Sequence, residues 1–197
     1  KIIHEPYHYR DERTKNALEK ASGIMSAEEI YAETGNQIMN INTLFQLISD
    51  ENVNKADKLL FMPDLFGYLL TGKKVCEMSI ASTSQMLDMK EKSWSKKVLD
   101  AFGIKESLFP ALCDSATLSG EYKGIPVISV AGHDTQCAVA AMPTISENAA
   151  FLSCGTWSLI SCELESPVMT EESNTLELSN EMGANGKVNL LKNISGL

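Results

Sequence analysis

The sequence predicts an α/β fold, and three observations carry that reading. Up to Gly103 the apolar residues recur at helical spacing; from residue 125 onward, short β-branched apolar runs bounded by turn residues take over. At the junction an apolar run ends in a glycine and passes straight into an Ala-rich stretch, the signature of strand, tight turn and helix.

The elements follow in order. Residues 11–21 carry charge with spaced Ala and Leu, and 27–34 stop at Gly35 as helices do, so two short helices are expected. Asn42 precedes apolar residues at helical spacing and reads as the N-cap of a third helix over 43–48. The pattern repeats over 56–70 and closes at Thr71-Gly72, with Pro63 opening a new helix because proline is tolerated only in a first turn. Residues 94–102, before Gly103, make one more. Residues 125–131 read as a strand and 134–142 as the helix after it, while 149–153 and 157–162 form a hairpin around Cys154-Gly155-Thr156. Gly183 and Gly186 mark a turn. No internal repeat is present, and the polar stretch 143–148 is the natural boundary.

Composition narrows the function. The 197 residues give room for one domain or a domain and part of another, and 44% hydrophobic with 22% charged residues excludes collagen-like, disordered and disulfide-scaffold classes. A formal net charge of −9 argues against nucleic acid or an anionic membrane surface as partner. The five cysteines lack C-x-x-C spacing and are expected to be buried free thiols in a reducing cytoplasm. No apolar run approaches the roughly 20 residues that span a bilayer, and no secretion signal opens the sequence. Asn193-Ile194-Ser195 is then a chance match to a glycosylation acceptor. The sequence starts without Met and ends on the apolar stretch 188–197 with no cap or polar tail, so it is expected to be a piece of a longer protein.

The chemistry-bearing stretch is Gly132-His133-Asp134-Thr135, where a carboxylate stands at the strand–helix junction at which open α/β sheets place ligands. Two readings of Asp134 stand side by side. It caps the helix, complementing the positive end of the helix dipole, or it takes the proton of a hydroxyl attacking a phosphoryl group. His133 and Cys137 lie one helical turn apart, but a metal site would want further ligands, and His4 and His8 lie in the far N-terminal segment. His133 instead suits hydrogen bonding to a polar ligand or to the turn. Ser153-Cys154-Gly155-Thr156 is either an ordinary hairpin or a turn that aims N–H groups and a hydroxyl at a phosphate. Tyr9-Arg10-Asp11-Glu12-Arg13-Thr14 reads by itself as a charged helix start.

Six stretches in consistent order resemble the FGGY family of carbohydrate kinases, most closely its rhamnulokinase branch. They are Tyr9-Arg10-Asp11-Glu12-Arg13-Thr14, Asn42-Thr43-Leu44-Phe45-Gln46-Leu47, Met62-Pro63-Asp64-Leu65-Phe66-Gly67-Tyr68-Leu69-Leu70-Thr71-Gly72, Gly132-His133-Asp134-Thr135, Leu152-Ser153-Cys154-Gly155-Thr156-Trp157-Ser158-Leu159 and Lys192-Asn193-Ile194-Ser195-Gly196-Leu197. The resemblance implies an α/β ribonuclease-H-like fold of the actin/sugar-kinase superfamily, present as an incomplete piece of a two-domain kinase. Residues 1–143 would be the C-terminal part of the N-terminal, sugar-binding domain, and 148–197 the beginning of the C-terminal, nucleotide-binding domain. The implied reaction moves the γ-phosphate of ATP, with Mg2+, to the 1-hydroxyl of L-rhamnulose in L-rhamnose breakdown. Such an enzyme would be a cytoplasmic monomer or homodimer whose partners are the sugar and Mg-ATP.

By the same resemblance Asp134 is the proton acceptor, His133 and Thr135 hold the sugar, Thr156 contacts ATP phosphate and Asn193 contributes to the nucleotide site. It implies no metal ligands in the chain. L-fuculose, L-ribulose, xylulose or glycerol remain alternative substrates, and a non-catalytic sugar-binding remnant is the alternative outside the enzyme class. The family's opening strand and Asp-x-Gly-x-x phosphate loop have no counterpart here, nor has its adenosine-binding remainder. The chain by itself is therefore expected to be inactive and short of sheet partners.

Overall fold

The computed structural model describes residues 1–144, 146, 148–155 and 157–195. The Asp11 carboxylate accepts the Arg13 N–H at 2.9 Å and closes a single 3-10 turn, Glu12–Thr14. Asn16 then leaves the helical region (φ −102°, ψ 12°), so the helix expected over 11–21 is broken into that turn and α1, Ala17–Ser22. Helix α2, Ala27–Thr34, has the expected bounds because both ends are local signals. Ser26 and Glu29 form a reciprocal capping box, and Gly35 closes the helix in the left-handed region at φ 63°. Helix α3 spans Thr43–Leu47, but Asn42 does not cap it. Its amide nitrogen donates to Gln37 O and Gln85 Oε1. Helix α4, Met62–Thr71, carries Pro63 in its first turn as expected. Residues 56–61 stay non-helical, since the Leu59 N–H goes to Leu108 O at 2.8 Å and draws the segment across the core.

The first half is not purely helical. Strand β1, Cys76–Glu77, leads into α5, Met78–Ser82; β2, Leu87–Asp88, pairs with β3, Ser93–Trp94. That pairing takes Trp94 out of the helix expected over 94–102, leaving α6 as Lys96–Ala101 under a Ser95 cap. Strand β4, Leu112–Cys113, runs parallel to β1, while β5, Thr117–Tyr122, and β6, Ile125–Ser129, form an antiparallel pair with a bulge between Leu118 and Gly120. Helix α7, Asp134–Ala140, follows β6 across a four-residue turn. The rest of the chain is β7 (Ala150–Cys154), β8 (Trp157–Leu164), α8 (Glu171–Thr175), β9 (Leu178–Met182) and β10 (Val188–Ser195), whose strands make one antiparallel sheet in the order β7-β8-β10-β9. Gly183 and Gly186 lie in the β9–β10 turn as expected, the Gly186 N–H reaching Gly183 O at 3.1 Å.

Two apolar cores hold these elements together. One gathers Ile30, Leu44, Phe45, Met86, Val98 and Leu99 from α2, α3, α6 and the chain between them. The other packs Phe61, Cys76, Ala81, Leu87 and Met89 against Met182 and Val188, so the last sheet shares its interior with β1, α5 and β2. The cysteines are free but not uniformly buried: Cys76 is buried, Cys113 and Cys162 are half-buried, and Cys137 and Cys154 are exposed. The last two fall on the outward face of a short helix and on a hairpin end, where apolar neighbours in sequence do not mean burial in space. Among the described residues, no helix is long and apolar enough to cross a membrane.

Candidate active site

A cleft of about 710 Å3 opens beyond the carboxyl end of β6, the position at which α/β folds present ligands. Its walls come from both ends of the chain. Tyr9, Asn36, Gln37 and Asn42 form one side, His133, Asp134 and Thr135 the floor, and Ser153, Gly155, Trp157, Ser179, Glu181 and Asn193 the other side.

The turn that delivers His133 and Asp134 is held from beneath by a buried carboxylate. Glu77 is 1% exposed, and its Oε2 accepts the N–H groups of Ser79 (3.0 Å), Ile80 (3.2 Å) and Gly132 (2.8 Å) and the Ser79 hydroxyl (2.6 Å). Its Oε1 accepts the Ser115 hydroxyl at 2.6 Å. Glu77 thereby caps α5 and pins the β6–α7 turn to it, a full set of donors being what lets a carboxylate stay buried. Ser79 adds a second tie, its hydroxyl oxygen accepting the His133 N–H at 3.2 Å. Gly132 is required by this close approach: a Cβ there would lie 2.9 Å from Ile80 Cγ2.

Asp134 is the first residue of α7, whose N-cap position is His133. The expectation that the Asp134 side chain caps the helix is corrected. Its carboxylate is 100% exposed, because the tight turn places the side chain outside the helix end and over the cleft. His133 sits beside it with Nε2 3.9 Å from Asp134 Oδ1, and its Nδ1 meets Glu181 Oε2 at 2.6 Å. Burial works against a charged imidazole, but the Glu181 carboxylate, its hydrogen bond and the charges of Asp134 and Glu77 together hold His133 above the usual histidine range. Thr135, 7% exposed, follows in the first turn of α7. Asn193 lies opposite Leu159 on β10, and its amide nitrogen donates to Gln37 Oε1 at 3.2 Å, joining the two walls. Thr156 lies outside the described residues; its neighbours Gly155 and Trp157 line the cleft, with the Gly155 N–H on Trp157 O at 2.9 Å.

Four of the five residues singled out from the sequence thus meet around one cleft. Sequence reasoning missed Glu77, Glu181, Gln136 and Gln37. Glu181 stood in a stretch read only as a turn, and nothing in the sequence marks a glutamate as buried; the sole available signal for Glu77 was its position directly before a helix start rich in Ser.

Comparisons with known proteins bear on the family and the fold. The sequence profile of the FGGY family of carbohydrate kinases, N-terminal domain, matches residues 2–141. The chain is 43% identical, over its whole length, to a rhamnulokinase of Bacteroides thetaiotaomicron, and 39% identical to one of Ligilactobacillus salivarius, covering 44% and 43% of those proteins. It spans less than half the length of the curated relatives it matches. The fold is shared with a ligand-bound xylulose kinase from Lactobacillus acidophilus (TM-score 0.81, 18% identity, 98% of this chain and 42% of that one). It is shared as well with Plasmodium falciparum glycerol kinase with ADP (TM-score 0.83, 18% identity, 99% and 43%). With the profile covering most of its length and relatives 43% and 39% identical over the whole of it, the chain belongs to the FGGY family of carbohydrate kinases.

Proposed function

We propose that the protein carrying this chain is a cytoplasmic kinase that transfers the γ-phosphoryl group of ATP to the 1-hydroxyl of L-rhamnulose. The observation that carries the reading is Asp134: a wholly exposed carboxylate over the cleft, on a turn locked from below by Glu77 and Ser79. The relatives' shared name supplies the choice of sugar. In this reaction the sugar hydroxyl oxygen bonds to the γ-phosphorus, the bond from that phosphorus to the ADP oxygen breaks, and Asp134 takes the hydroxyl proton. Phosphoryl transfer asks mainly for positioning and charge stabilisation, which a fixed turn supplies.

In the same reading His133 and Thr135 hold the sugar from the floor of the cleft, while Asn193 and Thr156 belong to the nucleotide side. Ser153 and Gly155 of the hairpin line the cleft, which supports a phosphate contact on that side. Mg2+ prefers oxygen ligands and travels mainly on ATP phosphates, and among the described residues no group of three or more His, Cys, Asp or Glu side chains stands ready to hold a metal by itself. Magnesium would supply charge neutralisation on the transferred group. Residues 1–143 then belong to the sugar-binding domain and 148–197 begin the nucleotide-binding one; the family match ending at residue 141 supports that division.

The test is ADP release with Mg-ATP and, in turn, L-rhamnulose, L-fuculose, L-ribulose, xylulose and glycerol. L-Rhamnulose is expected to be turned over best, and Asp134→Asn to lower turnover by about 10²–10⁴-fold, the range for losing a general base. The substitution gives up a fully exposed charge 3.9 Å from His133 Nε2, a solvent-screened pairing, so thermal unfolding close to wild type is expected beside it. Turnover close to wild type in the variant would dismiss Asp134 as the proton acceptor, and a better substrate among the other sugars would dismiss L-rhamnulose.

A further inference from the structure

The groups behind His133 form a chain that leads away from the cleft. Glu181 lies on β9, is 4% exposed, and offers one oxygen, Oε2, to both His133 Nδ1 (2.6 Å) and Gln136 Nε2 (2.7 Å). Gln136 is fully buried on α7, one turn after the His133 turn, and its Oε1 accepts from the Asn189 amide nitrogen on β10. The Glu181 carboxylate only accepts, so Gln136 must turn its amide nitrogen to it, which leaves the Gln136 oxygen for the Asn189 amide nitrogen. Glu181 is therefore confined by a buried amide donor and by the imidazole it holds.

From this arrangement we infer that Glu181 is a positioning residue that fixes the His133 imidazole in one orientation and one tautomer beside Asp134, with Gln136 and Asn189 holding Glu181 in place. The carboxylate takes the proton on Nδ1, so neutral His133 presents a bare Nε2 to the Asp134 side, where it accepts a hydrogen bond. Protonated His133 presents an N–H there instead. The consequence reaches beyond one side chain. Strands β9 and β10 lie outside residues 2–141, the part matched by the family's N-terminal domain, yet they fix a group on the floor of the cleft. A carboxylate on the far nitrogen of a functional imidazole is a general means of setting tautomer and basicity. The charged groups that face His133 are Glu181 from β9, Asp134 from α7 and Glu77 from the start of α5.

The inference concerns the sugar-side geometry of the kinase reading, so its first readout does not depend on activity. Nitrogen-15 NMR of the histidine side chains, with His133→Asn identifying the signal, is expected to show neutral His133 protonated at Nδ1, the tautomer that free histidine disfavours. Protonation at Nε2 in the wild-type protein overturns the inference without any variant being made. In Glu181→Gln, the His133 titration is expected to move down by at least about one pH unit and the tautomer preference to fade, the loss of one charge-assisted hydrogen bond being about tenfold in an equilibrium. An unmoved titration and tautomer in a variant with wild-type thermal unfolding overturns it.

The kinetic arm then compares Glu181→Gln with Glu181→Asp. The glutamine variant is expected to raise the KM for the sugar about tenfold with a smaller change in kcat, and the aspartate, which keeps the charge, to recover part of that. Sugar kinetics unchanged in Glu181→Gln while His133 moves would overturn the positioning role. If none of the five sugars is phosphorylated by the wild type, the kinase reading fails on its own, and the NMR result still judges the Glu181–His133 pair.

Discussion

Asp64 shows how much a single buried carboxyl can shape the behaviour of this chain. It is 5% exposed on the first turn of α4, and both its oxygens accept the Glu77 N–H at 3.3 Å. Burial pushes its carboxyl up to about 6; the Glu77 N–H pulls the other way, and the nearby Glu77 charge adds to the rise. The folded state thus holds a proton on Asp64 that the unfolded chain has released above about pH 4. Stability tied to this group is fully present below that pH, falls as pH rises to about 6, and stays lost above it, by up to roughly 3 kcal/mol for a two-unit difference. Asp64→Asn keeps an acceptor for the Glu77 N–H and removes the charge. Urea unfolding at pH 4, 5, 6 and 7 is expected to show the variant gaining on the wild type across that window, by about 1–3 kcal/mol at pH 7. A constant difference between the two proteins would remove Asp64 as the cause. At this scale the sequence showed what Asp134 and His133 could do, since a carboxylate and an imidazole carry their chemistry in their names. It did not show that Asp64, Glu77 and Glu181 are buried, because burial is set by what packs against a residue from elsewhere in the chain.

Among the elements, the β6–α7 turn and α5 behave as one unit. Glu77 caps α5 and grips Gly132, while Ile80 fills the space that a side chain at 132 would need. Gly132→Ala is expected to cost about 1–3 kcal/mol through overpacking, and Ile80→Ala to remove part of that cost, since it takes away Cγ2 but keeps the Ile80 Cβ at 3.0 Å. A double-mutant cycle read by chemical unfolding checks this; additive costs would mean that the two sites do not touch. Legibility differed from element to element for a physical reason. Helix α2 was read to the residue because its Ser26–Glu29 box and Gly35 stop are local. The helix expected over 11–21 was broken at Asn16, and the helix expected over 94–102 lost Trp94 to a strand partner at Leu87. The two-residue ladders β1–β4 and β2–β3 were invisible, as a pair of residues has no period.

Across the whole molecule, two buried asparagines sew the first half to the last sheet. The Asn36 amide nitrogen donates to Ser82 O (2.8 Å) and Asn180 O (3.1 Å). Asn180 donates from its side chain to Gly35 O (2.9 Å) and Val168 O (3.0 Å), accepts the Val168 N–H at 2.8 Å, and sends its own N–H to Gly35 O. Removing the Asn180 side chain leaves the Val168 N–H without its acceptor, whereas Gly35 O keeps the Asn180 N–H and Val168 O keeps the Ser173 hydroxyl. Asn180→Ala is therefore expected to destabilise the protein by about 1–3 kcal/mol and to raise amide exchange over 178–191 more than over α2 or α6. Equal change everywhere would mean that the strands are held by their shared apolar core and not by this amide.

The sequence by itself determined the α/β class, the strand–turn–helix that carries Asp134, the hairpin of 149–153 and 157–162 to within two residues, and the family, because each rests on residues close together in the chain. Only the tertiary structure decided that Glu181 and Asn193, far along the chain, close the cleft over residues His133 and Asp134. It also decided that Asp134 stands free of the helix it begins. Periodicity and turn chemistry are properties of neighbours in sequence. Which carboxylate is buried, and which amide faces which imidazole, are properties of neighbours in space.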